Sequence, residues 1–375
     1  MTLKKIAYFV GIRFLVYSLV AAWIYLLIPY SGNFPYKDVI QNFKLPFWIY
    51  SWANFDGAHY IHIALQGYHQ YDQAYFPGYI LLLKFFGGFF GHYYLHAGIL
   101  LSNISYIAAT WYFYKLFTAL YGKRSALWST ALLLLIPTSF FFSAVYTESL
   151  FLLLTVSALY YLLRKRFIVA CILAGLSSFV RLQGVFLIIP FFVYGLLYMN
   201  KRSLWTYVFL LSPLVGLTIY MTFLWKTTGD PLYFFHSQPI FGAQRSTHLI
   251  TIVQVYYRYF KIFITAQHNF QYLVALLECI VVSVSLCAIA IHGWLAYKKQ
   301  DMFNISLALY SSMHILVPSL TGTFSSTPRY ALMVLSAYYV FSQIPQKRAK
   351  YVLLGISLIC HFILFGLFVQ GYFIA

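Results

Sequence analysis

Apolar runs of about twenty residues recur along the whole of this 375-residue sequence. A helix of that length crosses a hydrocarbon core of about 30 Å, whereas a soluble domain could not bury so many such helices. The composition agrees, since 62% of the residues are hydrophobic and 9% are charged. We therefore predict an all-α, polytopic membrane protein with about eleven or twelve transmembrane helices, organised as a single integral membrane domain over residues 1–375.

Basic residues are in large excess, with 25 Lys and Arg against 7 Asp and Glu and a formal net charge of +18. They stand in short clusters between the apolar runs, as the positive-inside rule predicts for cytoplasmic loops. Membrane lipids are therefore the expected partner, and no nucleic acid is expected. The clusters are Lys4-Lys5, Lys123-Arg124, Arg164-Lys165-Arg166, Lys201-Arg202, Lys298-Lys299 and Lys347-Arg348 with Lys350.

Placing these clusters in the cytoplasm gives a topology. A retained first helix leads out to a first outer loop at 30–75, which is expected to carry short amphipathic helices, and a second large outer loop spans 226–268. Between the first loop and Lys123-Arg124 an odd number of crossings is required, yet two apolar runs are present, at 76–90 and 94–117. Whether 76–90 crosses the membrane stays open at this point.

The acidic residues are unevenly distributed on this topology. Five lie at or near the outer face, whereas Asp301 falls in a cytoplasmic loop. Glu278 falls inside an apolar run, where a carboxylate should face protein or water and pairing is its expected role. Acids contribute little to membrane orientation, so the asymmetry predicts a site assembled from several outer loops. The five outer acids are Asp38, Asp56, Asp72, Glu148 and Asp230.

Two of these acids stand at the expected starts of helices. Asp56 precedes a short amphipathic stretch, Gly57 to Gln66, where it either caps the helix or accepts a proton from a substrate hydroxyl. Glu148 follows an outer turn, where it either matches the helix dipole or belongs to the site. Asp230 lies in a Gly-Asp-Pro sequence, and an Asx turn is its alternative role.

Two arginines lie where the positive-inside preference does not predict them. Arg181 stands at the outer end of a tight hairpin, and its partner is either Glu148 or a ligand phosphate, which suits the planar guanidinium. Arg329 follows Pro328 in the first turn of a helix, where a cation is mildly unfavourable and an anionic neighbour is indicated. No nucleotide-binding fingerprint occurs in a supporting context. The four cysteines lie in apolar runs without CxxC spacing, so no disulfide framework is expected.

In this order, the polar segments resemble the GPI mannosyltransferase II (PIG-V-type) family and its prokaryotic relatives, which belong to the GT-C class of membrane glycosyltransferases. Together they cover about residues 50–335. The resembling pieces are Asn54-Phe-Asp56-Gly-Ala-His59-Tyr60, Gly67-Tyr68, Tyr75-Phe-Pro77, Tyr146-Thr-Glu148-Ser149-Leu150, Gly175-Leu-Ser-Ser-Phe-Val-Arg181-Leu-Gln183-Gly184, Gly229-Asp230-Pro231 with His236 and Gln238, and Ser326-Thr-Pro328-Arg329-Tyr330.

The resemblance implies a GT-C-like fold and an inverting glycosyltransferase. It would move a sugar, typically mannose, from a polyprenyl- or dolichyl-phosphate donor to a hydroxyl of a glycan, lipid or protein acceptor. The reaction would take place on the extracellular or lumenal side. The resemblance maps the catalytic base onto Asp56, with Glu148 in support, and lets Arg181 or Arg329 stabilise the leaving phosphate. The implied substrate-binding residues are His59, Tyr60, Arg181, Gln183, Asp230, His236, Gln238, Arg329 and Tyr330.

The sequence departs from the family pattern at three positions. Asn54 and Phe55 stand where the family usually has an arginine or similar residue and a tryptophan before the aspartate, and Gln183 stands where asparagine is more common. The compact chain favours a prokaryotic enzyme in the plasma membrane; a eukaryotic one would lie in the endoplasmic reticulum. No Asp-x-Asp pair is present, so neither a cofactor nor a divalent metal is supported. A lipid-carrier flippase or transporter and a catalytically inactive accessory protein remain alternatives.

Overall fold

A computed structural model describes residues 1–31, 43–199, 204–241 and 245–374. Asp38, the Lys201-Arg202 cluster and parts of both large outer loops lie outside these residues. Throughout the described ranges the regular structure is helical and contains no strand, which confirms the predicted all-α class.

The α-helices are numbered here in chain order. They are α1 Leu3–Trp23, α2 Phe47–Tyr50, α3 Asp56–Gln66, α4 Pro77–Phe89, α5 Tyr94–Leu135, α6 Glu148–Leu163, α7 Phe167–Val180, α8 Ile188–Tyr198, α9 Leu204–Leu211, α10 Val215–Thr228, α11 Tyr233–His236, α12 Ile252–Thr265, α13 Phe270–Lys298, α14 Met302–Ser319, α15 Thr327–Tyr330, α16 Leu335–Gln343 and α17 Lys347–Val369. Short 3-10 turns extend or connect several of them, such as Ile24–Leu26 after α1 and Leu182–Leu187 before α8.

Several long helices start at polar caps that the sequence supplies. Asp301 accepts the backbone N–H of Asn304 at the start of α14, and Asn269 accepts that of Tyr272 at the start of α13. Such caps satisfy backbone donors that have no partner within the helix. Pro77 opens α4, where its missing N–H costs nothing.

Four helical segments are long and apolar enough to cross a membrane by length and composition, namely Leu3–Leu26, Thr206–Thr228, Phe270–Lys298 and Lys347–Val369. Shorter apolar helices accompany them, so the described chain is that of an integral membrane protein. The total of about eleven or twelve crossings stays a prediction.

The stretch that left the topology open contains a short helix and a broken one. With 13 residues, α4 is about 20 Å long, shorter than the hydrocarbon core. The 42-residue α5 is interrupted at Gly122, whose φ of 81° is not helical. The break falls directly before Lys123-Arg124, so the basic cluster lies at a helix junction inside one long element.

Contacts divide the described chain into two compact units. The first contains Met1–Arg164 and Ile344–Ile374, and the second contains Lys165–Gln343. In the first unit, α5 packs against α1, α4, α6 and α17. In the second, α13 packs against α12, α14 and α16, while α7 packs against α10. The single domain proposed from the sequence stays a prediction.

The first unit also buries a cation that the sequence analysis did not single out. Arg13 is 5% exposed, and its guanidinium donates to the hydroxyl oxygens of Tyr17, Tyr106 and Ser139 at 2.7–3.0 Å. Its Cζ atom also lies 4.9 Å from the centre of the Tyr17 ring. Neutral oxygens and aromatic rings therefore stabilise a charge inside an apolar helix, where a bare charge is costly.

Candidate active site

The amphipathic helix predicted in the first outer loop is α3, and Asp56 is its first residue. The N-cap position belongs to Phe55, which adopts a left-handed conformation with φ 58°. A carboxylate in the first turn is favoured by the partial positive charge of the helix N-terminus. Asp56 is half-buried, and the hydroxyl of Tyr75 donates to its Oδ1 atom over 3.4 Å.

Aromatic rings surround this carboxylate. The His59 ring stacks on Tyr75 with 5.1 Å between centroids, and the Tyr60 ring meets Tyr75 edge-on at 5.2 Å. The hydroxyl of Tyr68 donates to the Tyr75 backbone carbonyl at 2.8 Å and so anchors Tyr75. In the sequence Tyr75 stands out only as part of a motif, whereas in the structure its side chain contacts both Asp56 and His59.

Burial lowers the pKa of His59 below its usual value of 6.5, although the carboxylates of Asp56 and Asp72 act in the opposite direction. Desolvation disfavours the charged imidazolium, so His59 is neutral near pH 7. A neutral imidazole keeps one donor and one acceptor nitrogen. Asp72 accepts the backbone N–H of His69 at 3.0 Å and thereby shapes the turn after α3.

Glu148 is the first residue of α6 and is 1% exposed. It interacts electrostatically with Tyr79, whose hydroxyl lies 3.0 Å from Ser102 Oγ. Tyr60 packs edge-on against Tyr79 at 5.3 Å, so a continuous set of contacts runs from the Asp56 region to Glu148. Glu148 belongs to the first unit and Arg181 to the second. Glu148 and a ligand phosphate both stay hypotheses for the partner of Arg181.

The unusual residues before Asp56 have structural roles in the first unit. The buried Asn54 amide donates to the backbone carbonyls of Phe368 and Val369 at the end of α17, at 2.8 and 3.1 Å. The backbone carbonyl of Asn54 accepts a hydrogen bond from the Tyr146 hydroxyl at 2.9 Å. The Phe55 ring lies 6.0 Å from that of Phe368. Asn54 therefore fixes the approach to Asp56.

In the second unit, Arg181 follows α7 and donates through Nε to Gln183 Oε1 at 3.3 Å. Its Cζ atom lies 5.4 Å from the centre of the Tyr330 ring, next to the buried Arg329. Gly184 permits this geometry, because a Cβ there would collide with the backbone of Ser177 and Ser178. Three predicted site residues, Arg181, Gln183 and Tyr330, are thus brought together.

The remaining predicted residues divide into two groups within the second unit. Asp230 accepts the Leu232 backbone N–H at 2.9 Å, which forms the Asx turn, and lies 2.6 Å from His236 Nδ1. The hydrogen bond to His236 lowers the pKa of Asp230 below its usual value. Gln238 Oε1 instead accepts a hydrogen bond from Arg245 Nη1 at 2.8 Å. Arg245 also donates through Nη2 to Ser326 Oγ at 3.5 Å.

Arg245 was not selected as a site residue from the sequence, although the predicted topology places it in an outer loop, as it does Arg181. The same departure from the positive-inside preference could have found it. Among the residues that the structure describes, no group of three or more His, Cys, Asp or Glu side chains is placed to hold a metal ion.

Four apolar helical segments long enough to span a bilayer, within a chain whose described regular structure is helical, define a polytopic, all-α integral membrane protein. Residues 3–224 match the family model described as "Mannosyltransferase (PIG-V)". The chain belongs to this family. The match includes Asp56, Glu148 and Arg181 and ends before Asp230 and Arg329.

The chain is similar to proteins named GPI mannosyltransferase 2 from Cryptococcus neoformans var. neoformans serotype D, strains JEC21 and B-3501A. Identity to each is 32% over 149 residues, covering 35% of this chain and 34% of the relative. The chain therefore matches about a third of the length of these curated relatives.

Among solved structures, the chain is similar to the Archaeoglobus fulgidus oligosaccharyltransferase crystallised with zinc and sulfate. The TM-score is 0.50 at 13% identity, covering 96% of this chain and 53% of that one. At this identity the likeness concerns the fold, and it confirms the predicted GT-C-like architecture.

Proposed function

We propose that this chain is a glycosyltransferase that moves a sugar, mannose by the description of its family, from a polyprenyl-phosphate donor to an acceptor hydroxyl. The observation that carries the proposal is the carboxylate of Asp56. It is held at the start of α3, bonded by Tyr75 and flanked by His59, inside the segment that matches the family. We further propose that the reaction occurs on the extracellular or lumenal side.

In the proposed reaction, Asp56 accepts the proton of the acceptor hydroxyl. The acceptor oxygen then forms a bond to the anomeric carbon, while the bond from that carbon to the phosphate oxygen breaks. The electron pair leaves with the lipid phosphate, and the configuration at the anomeric carbon inverts. The position of Asp56 in the first helical turn favours the ionised carboxylate that a general base requires.

The proposed partners of the lipid phosphate are Arg181 and Arg329, which both belong to the second unit. Arg181 is held by Gln183 and by the face of Tyr330, and Arg329 is 7% exposed. A guanidinium with fixed orientation binds phosphate oxygens with two parallel hydrogen bonds. A preorganised cation of this kind stabilises charge that develops during bond cleavage.

The substitution Asp56→Asn tests the proposal, because it keeps the shape of the side chain and removes the base. We expect transfer of radiolabelled mannose from polyprenyl-phosphate mannose to fall by about 10²- to 10⁴-fold. The thermal midpoint in detergent should stay close to that of the wild type.

Asp301→Asn is the matched control. It makes the same chemical change at the N-cap of α14, and asparagine is an equally good cap. Transfer should be retained in this variant. Full activity in Asp56→Asn would exclude Asp56 as the base. A folded wild-type protein that transfers no sugar from any polyprenyl-phosphate donor would favour the accessory-protein alternative.

A further inference from the structure

Glu278 lies in α13, and it is the single acidic residue in the four described segments that are long and apolar enough to span a membrane. Its side chain is 5% exposed. A carboxylate in such a place is costly unless polar groups surround it. Those groups come from α12, from Arg245 and from residues 322–330, which we call the 322–330 loop.

Glu278 receives hydrogen bonds from two directions. The Tyr259 hydroxyl on α12 donates to Glu278 Oε2 over 2.5 Å, and the backbone N–H of Ser326 donates to the same carboxylate. The Tyr259 oxygen in turn accepts the backbone N–H of Phe324 at 3.0 Å. Two backbone donors of the 322–330 loop therefore end on Glu278, one directly and one through Tyr259.

Arg245 adds a charge to this arrangement. It attracts the Glu278 carboxylate and also contacts the hydroxyl of Ser326 and the side chain of Gln238. At the other end of the loop, Arg258 on α12 donates to the Gly322 carbonyl at 3.0 Å. The loop is thus held at 322, 324 and 326 by side chains from outside it. The buried rings of Tyr259 and Phe324 also pack against each other, with 4.6 Å between their centroids.

The hold on Ser326 has a consequence for the site residues that follow it. Ser326 has φ 66°, a left-handed conformation that is unfavourable for a residue with a Cβ. The hydrogen bonds to its N–H and hydroxyl offset that cost. Ser326 is the N-cap of the four-residue α15, which carries Arg329 and Tyr330. A change in the Ser326 backbone would therefore rotate both side chains.

We propose that Glu278 is a positioning residue. Its carboxylate, directly and through Tyr259, fixes the 322–330 loop and so sets the orientation of Arg329 and Tyr330 toward the donor phosphate. The identity of that ligand rests on the proposed function, whereas the fixing of the loop does not. The two parts are therefore measured separately.

Backbone hydrogen exchange tests the fixing of the loop. In Glu278→Ala and in Tyr259→Phe, the backbone amides of peptides covering 322–330 should exchange at least about tenfold faster. Each change removes a hydrogen bond that holds the 322–330 loop against α12 or α13. Tyr256→Phe is the matched control. It removes a tyrosine hydroxyl that bonds Ser283 between the same helices, α12 and α13, and it keeps the ring contact with Phe324.

In the Tyr256→Phe control, the 322–330 peptides should exchange at the rate of the wild type. Unchanged exchange at 322–330 in both Glu278→Ala and Tyr259→Phe would overturn the proposal. If Glu278→Ala does not fold, Tyr259→Phe decides this measurement, since it retains the carboxylate and the ring.

Steady-state transfer tests the orientation of the cation. In Glu278→Ala, the KM for polyprenyl-phosphate mannose should rise about 10- to 100-fold while the KM for the acceptor stays constant. Glu278→Gln, which keeps an oxygen that accepts from Tyr259 and Ser326, should recover most of that loss. A fall in kcat with an unchanged donor KM, or an equal rise in donor KM in Glu278→Gln and Glu278→Ala, would overturn the positioning role of Glu278. If the wild type transfers no sugar, the proposed function fails and the exchange measurement still decides whether Glu278 fixes the loop.

Discussion

The protonation state of His59 follows from its burial against Tyr75 beside two carboxylates. Desolvation outweighs the attraction of Asp56 and Asp72, so the neutral imidazole is the native form. This matters for the proposed reaction, because a neutral His59 does not reduce the basicity of the Asp56 carboxylate. A charged His59 would stabilise the carboxylate and weaken its basicity.

His59 gives a pH dependence whose sign can be worked out. Its native pKa lies below the unfolded value of 6.5, so stability is complete above about pH 6.5 and declines as the pH falls toward the native pKa. We expect the thermal midpoint of the wild type to fall more between about pH 7.5 and 5.5 than that of His59→Gln.

The exposed His248 provides the control for this comparison. His248→Gln should keep the pH response of the wild type. An identical pH response in His59→Gln and the wild type would contradict the assignment of a buried, neutral His59.

At the scale of the elements, the kink in α5 separates a long apolar helix from the basic cluster that follows it. Gly122 has φ 81° and ψ 165°, a region that residues with a side chain rarely occupy. The kink therefore depends on glycine and not on the crowding of neighbours, since no atom lies within 4 Å of the place a Cβ would take.

Gly122→Ala should therefore lower the free energy of unfolding by about 1–3 kcal/mol, and the thermal midpoint in detergent measures this. Gly11 is the matched control, because it lies in the helical interior of α1 with equally open space around its Cβ position. Gly11→Ala should raise stability by about 0.5–1 kcal/mol. Equal effects of the two changes would show that the backbone at Gly122 is not constrained.

At the scale of the whole molecule, the basic clusters predict which ends of the helices face the cytoplasm. Lys299 follows α13 and His248 precedes α12, and both are exposed within the second unit. The sequence topology places Lys299 inside and His248 outside. The proposed enzyme needs its essential polar residues on the outer face alone. The alternative transporter needs them on both faces of the membrane, because it works by alternating access.

Cysteine labelling tests this sidedness. In a background with Cys171, Cys279, Cys287 and Cys360 replaced, His248→Cys should react with a membrane-impermeant maleimide on intact cells. Lys299→Cys should react only after permeabilisation. The reverse pattern would contradict the topology and with it the proposed location of the reaction.

The sequence by itself determined the class of this protein. Long apolar runs require helices in a membrane, because backbone polar groups in lipid must be satisfied within the segment. The starts of α3 and α6 at Asp56 and Glu148 were also predictable, since polar residues before apolar periodicity mark helix ends. The order of the motifs predicted the family, which residues 3–224 confirm.

Tertiary structure decided which polar groups meet. No spacing rule joins Glu278 to Ser326 or Tyr75 to Asp56, because these contacts depend on how separate helices and loops pack. The sequence therefore predicted that Glu278 is paired but could not name its partners, and Arg245 was one loop cation among several. Local sequence sets where a helix begins and which face is apolar, but desolvation and hydrogen bonding are properties of the packed neighbourhood.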